Sequence, residues 1–129
     1  MLAVDTNVLV RVLVDDPGAP AQVAVARKAV TAASRVFIPD VVLVETVWAL
    51  KQPYGFSKDE ILGCFVRLLE NERFVWDNWE AVSDALAIFV SYNVDFADCL
   101  ILAKAKRAGA ELLTFDRKLG RVKGVRRLH

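Results

Sequence analysis

Four carboxylates in this chain stand where an α/β fold could gather them: Asp5, Glu45, Asp98 and Asp116. Asp5 closes Leu2-Ala3-Val4, a run that reads as a short strand buried on both faces, and Thr6-Asn7 offer polar groups to cap a helix beginning near Val8. Asp5 thus falls at a strand C-terminus facing a helix N-terminus, the edge where open α/β sheets bind ligands. Asp98 is the third residue of a helix opened by Asp95, and Asp116 follows the strand Glu111–Thr114 by two residues. Glu45 is isolated in the almost wholly apolar stretch from Val41 to Leu50, so it needs water, a cation or a partner; the other reading is an exposed residue on a polar stripe with Lys51. Carboxylates meeting at one sheet edge repel, and without a counterion some must take up protons. A divalent cation removes the conflict, and oxygen-only donors with no His or Cys nearby select Mg²⁺ or Mn²⁺ over zinc. Such a site turns water into a hydroxide-like nucleophile and stabilises charge on a phosphodiester oxygen, which is phosphoryl-transfer chemistry.

The elements that must place these acids are legible from breakers and caps. A short helical turn over Val8–Val14 stops at Asp15-Asp16-Pro17-Gly18, and Pro20 opens an Ala-rich helix to about Ser34. Val36–Ile38 is a strand ended by Pro39, after which Asp40 caps a helix over Val41–Lys51, broken by Pro53-Tyr54-Gly55. Ser57 with Glu60 is a capping box for Lys58 to about Asn71. A third strand over Phe74–Trp76 precedes a helix from Asn78 to about Tyr92, and Asp95 reads as the N-cap of Phe96–Ala108, closed by Gly109. Val125–Leu128 reads as an edge strand. Short strands alternating with helices predict a three-layer α/β/α domain whose central parallel sheet has about four to five strands. With 129 residues the chain is one domain over 1–129.

Composition excludes several function classes. The only histidine, His129, is terminal, which rules out two-histidine ribonuclease chemistry, and no GxSxG, P-loop or GxGxxG motif occurs. Cys64 and Cys99 form no CxxC and read as reduced core thiols of a cytoplasmic protein; no leader and no membrane-spanning run is evident. The net charge of +1 is unevenly spread: six of the 17 basic residues (Arg117, Lys118, Arg121, Lys123, Arg126, Arg127) follow Phe115, against one acid, Asp116. That strip either grips RNA phosphates or is a solvated edge; the first reading is favoured because it directly follows Asp116 and the rest of the chain is acidic. Trp48, Trp76 and Trp79 could stack on bases, with core or interface the favoured reading for Trp48.

Asp5-Thr6-Asn7 after a strand, Glu45 in the third helix, Asp95-Phe-Ala-Asp98-Cys-Leu-Ile-Leu-Ala and Leu112-Leu-Thr-Phe-Asp116 together resemble the PIN domain, especially the VapC toxin ribonucleases of VapBC toxin–antitoxin pairs. The likeness runs through essentially the whole chain. It implies a metal-dependent endoribonuclease with Asp5, Asp98 and Asp116 on Mg²⁺, which Mn²⁺ may replace, and Glu45 on the attacking water. It further implies Thr114 as a hydroxyl for a metal-bound water, with Asn7 and Arg11 in support. The implied partners are RNA, a VapB-like antitoxin seated on apolar helices between Pro20 and Asn71, and a second copy of the chain; no membrane is implied. The alternative is a PIN-like protein- or RNA-binding module without catalysis, its acids serving as salt-bridge partners.

Overall fold

The computed structural model describes all residues 1–129, which fall into two compact units, Met1–Asp77 and Asn78–His129. The first runs β1 (Leu2–Ala3), α1 (Thr6–Leu13), α2 (Pro20–Ala32), β2 (Val36–Ile38), α3 (Asp40–Lys51), α4 (Lys58–Glu70) and β3 (Phe74–Trp76). Its strands form a parallel sheet in the order β1-β2-β3, with Leu2 opposite Val36 and Val36 opposite Phe74. Val36 and Ile38 of the middle strand are fully buried, and Leu9, Leu43, Leu50 and Ile61 supply the helical side of the core.

The second unit runs α5 (Trp79–Ser91), α6 (Phe96–Arg107), β4 (Leu112–Thr114), a 3₁₀ turn (Leu119–Arg121) and β5 (Val125–Arg127). Strands β4 and β5 pair in parallel. Helices α5 and α6 pack through buried Val82, Ala85, Cys99 and Leu102, with Phe89 and Phe96 edge to face at 5.8 Å. Both cysteines are free and buried.

Helix and strand positions follow the sequence closely, and five short strands are present, divided as three and two. Four local expectations are corrected. Strand β1 stops at Ala3 and is not buried on both faces: Leu2 is 50% exposed. Three apolar residues fix a strand but not its place, and β1 flanks the middle strand β2. The cap of α1 is Asp5 rather than Thr6 or Asn7, its Oδ1 accepting the Val8 N–H at 3.0 Å, so the helix starts at Thr6. Asp40 does not cap α3: Pro39, extended at ψ 150, occupies that position, and the Asp40 N–H donates to Asp77 Oδ2 at 2.9 Å. Asp95 is the N-cap residue of α6 by backbone position, but its carboxylate makes no capping bond. The capping box of Ser57 and Glu60 forms as expected.

Candidate active site

In the first unit, α1 and α3 hold the acids on the walls of a cleft of about 710 Å³, lined by Asp5, Thr6, Asn7, Arg11, Glu45, Trp48 and Tyr54 among others. Asp5 is exposed and uses one oxygen as the helix cap; a carboxylate is favoured there by the positive end of the helix dipole. Glu45 is exposed as well, and it is held across the cleft by the Thr6 hydroxyl, which donates to its Oε2 at 3.2 Å. Water contact and that hydrogen bond answer the question raised by a lone acid on an apolar helix. Trp48 follows Glu45 by almost one helical turn and is 62% exposed, which corrects the core reading of this residue.

Arg11 is fixed from three sides. Its Nη1 donates to Asp16 Oδ2 at 3.2 Å and to the Tyr54 hydroxyl at 2.8 Å, and its Nε donates to Gln22 Oε1 at 3.0 Å. The Tyr54 hydroxyl in turn donates to Asp16 Oδ2 at 2.8 Å. That bond, with the Gly18 N–H and the Arg11 guanidinium, holds the Asp16 carboxyl below the usual aspartate range. Tyr54 reaches α1 because the chain turns back after α3: Gly55 takes a positive φ of 67°, and the Phe56 N–H returns to the Leu50 carbonyl at 2.9 Å. Sequence reasoning read Tyr54 and Asp16 only as helix breakers and Thr6 only as a cap. Pairing over such separations leaves no local pattern.

In the second unit, Asp98 is half-buried at the third position of α6. Burial, then the charges of Asp95 and Asp116, push its carboxyl above the usual aspartate range. Asp116 is set by its own loop: its N–H donates to Thr114 Oγ1 at 3.0 Å, and its Oδ2 accepts the Leu119 N–H at 2.7 Å. Thr114 therefore orients the backbone of the acid that follows it. The basic residues nearby have other partners or face solvent: Arg107 binds Asp84 and Glu80, Arg126 binds Glu111 at 2.9 Å, and the six cations after Phe115 are all exposed.

The structure thus brings Asp5, Asn7, Arg11 and Glu45 to one cleft of the first unit and places Asp95 and Asp116 each within electrostatic range of Asp98 in the second. In neither unit do three or more His, Cys, Asp or Glu side chains close to chelating distance. The acids offer hard carboxylate oxygens, the donor type that hard divalent ions prefer over zinc-type ligands.

The parallel α/β fold carries acids at a helix N-terminus and just beyond a strand, the end of the strands where open α/β sheets place their sites. The sequence profile of the PIN domain matches residues 2–125, and the chain belongs to the PIN domain family. A VapC ribonuclease of Aquifex aeolicus is 27% identical over 85 residues, a stretch spanning 65% of this chain and 63% of that relative, less than two thirds of its length. Among solved structures, Mycobacterium tuberculosis VapC20, a sarcin-ricin loop cleaving toxin, matches with a TM-score of 0.47 at 15% identity over 97% of each chain. No helix of the structure is long and apolar enough to cross a membrane.

Proposed function

We propose that this chain is a VapC-like toxin, a metal-dependent endoribonuclease formed by a single PIN domain over 1–129 that hydrolyses RNA phosphodiester bonds and is neutralised by a VapB-like antitoxin. It acts in the cytoplasm as a homodimer, with Mg²⁺ as the ion and Mn²⁺ as a substitute. The observation that carries the reading is Asp98, half-buried beside Asp95 and Asp116, where ionisation is opposed. Membership of the PIN family and the Aquifex relative support it from the side of sequence.

In this reading Asp5, Asp98 and Asp116 would hold the ion, which would supply charge neutralisation at the scissile phosphate and a lowered pKa for water. Glu45, steadied by Thr6, takes a proton from the attacking water. The new bond joins that oxygen to phosphorus, the bond from phosphorus to O3′ breaks, and O3′ takes a proton from solvent water while Glu45 returns its own to solvent. The products are a 3′-hydroxyl and a 5′-phosphate. Thr114 keeps Asp116 in place through the backbone N–H, and Asn7 and Arg11, the supporting residues of this reading, line the cleft beside the first acid.

The test is cleavage of RNA by the purified, partner-free chain. Cutting that requires Mg²⁺ and is lost in Asp5→Asn and in Asp98→Asn is the expected result; cutting that continues unchanged in EDTA overturns the assignment. Because no three acids close to chelating distance within either unit, the binding-module reading keeps a specific ground. It requires that calorimetry show no Mg²⁺ or Mn²⁺ uptake at millimolar concentration.

A further inference from the structure

The cleft of the first unit contains more than acids, and its apolar wall leads to a statement about the substrate that rests on the ribonuclease reading above. We infer that this cleft takes one unpaired base of an RNA strand and that Trp48 selects it by stacking. Trp48 and Glu45 share one face of α3 and line the same cleft. Tyr54 and Phe56 pack edge to face at 6.3 Å, and Trp48 stands outside that pair with 62% of its surface exposed. A large aromatic left in water beside a concave wall marks a contact surface.

Charge decides what the contact is. Asp5 and Glu45 are both on the lining, and its one cation, Arg11, has Nη1 committed to Asp16 and Tyr54 and Nε to Gln22. Without the ion that the reading above places on Asp5, this lining does not attract a phosphate, and the wall at Trp48 suits a neutral ring. Nucleobases have that property, a flat neutral π face that the indole can stack on. A base inside a duplex cannot present its face, so the substrate at this point is single-stranded or looped. About 710 Å³ leaves ample room for one base with its ribose.

The experiment measures binding rather than turnover. A fluorescently labelled single-stranded oligoribonucleotide is titrated with the wild-type chain, Trp48→Phe and Trp48→Ala in EDTA, and the series is repeated with an oligonucleotide in which the bases are replaced by abasic sites. Stacking of one base predicts that Trp48→Ala raises Kd about 5- to 150-fold on the intact strand. Trp48→Phe stays near wild type, and all three proteins bind the abasic strand equally. Matching thermal melts establish that the variants are folded. An equal loss on both strands, no loss at all, or no RNA binding by wild type overturns the inference. So does a Trp48→Ala protein with unchanged RNA affinity whose dimer dissociates in sedimentation, because the indole then belongs to a protein contact. Cleavage with Mg²⁺ is scored separately: binding as predicted without cleavage leaves the base site standing and removes the ribonuclease reading.

Discussion

Replacing Thr6 with Val removes one hydroxyl and almost nothing else, and it isolates how Glu45 is held. The two side chains have nearly the same shape, both are β-branched, and position 6 is the first residue of α1, so helix stability changes little. What is lost is the O–H donor to Glu45 Oε2 at 3.2 Å. Hydrogen bonds to charged groups contribute roughly 1.5–3 kcal/mol when well formed. This one is exposed and longer than the short contacts of a strong O–H to carboxylate pair, which places it near 1 kcal/mol. If Glu45 must be in place when water attacks, that energy appears in the barrier as about a fivefold fall in kcat. KM should hold, since Thr6 positions a proton acceptor rather than the substrate. Single-turnover cleavage of a defined RNA with Mg²⁺ reads the effect, and Thr6→Ser should restore the rate because it returns the hydroxyl. A Thr6→Val enzyme as fast as wild type, or a Thr6→Ser enzyme as slow as Thr6→Val, refutes the positioning role.

Asp98→Asn should melt at a higher temperature than wild type in EDTA while losing divalent uptake by calorimetry. The Asp98 carboxyl is raised in the folded chain, so its contribution is fully present below its unfolded pKa and lost as pH rises through the folded value, leaving a penalty at neutral pH. Asp16→Asn tests the opposite sign. Asp16 is held low in the fold, so its contribution is present above roughly pH 4 and disappears as pH falls through the folded value. The stability gap between wild type and Asp16→Asn, followed by urea unfolding, should be steady from neutral pH to about 4 and close below it. Ser57→Ala removes one half of the capping box and should cost about 1 kcal/mol in the same assay with cleavage unaffected.

Much of this molecule is written in local chemistry. Pro20, the Ser57 and Glu60 pair, Pro39 and Gly109 punctuate the chain by rules that act within a few residues, and the helices and strands fall where those rules place them. The identity of the acids is local in the same sense: Asp5, Asp98 and Asp116 announce themselves by standing at the ends of elements, and the PIN likeness follows from that order. Partnership is not local. The Thr6 bond to Glu45 joins residues 39 apart, and Tyr54 meets Asp16 across 38. Neither pairing leaves a periodicity or a composition signal, because hydrogen bonding needs only two groups at the right distance after folding. The same holds for burial: Leu2 and Trp48 are apolar, yet each is half or more exposed, since hydrophobicity favours burial but packing assigns the places. Order along the chain could name the acids and put Trp48 one turn from Glu45; only the folded backbone could open the cleft beside them, leave Asp98 half-buried between like charges, and engage Arg11 with Asp16 and Tyr54.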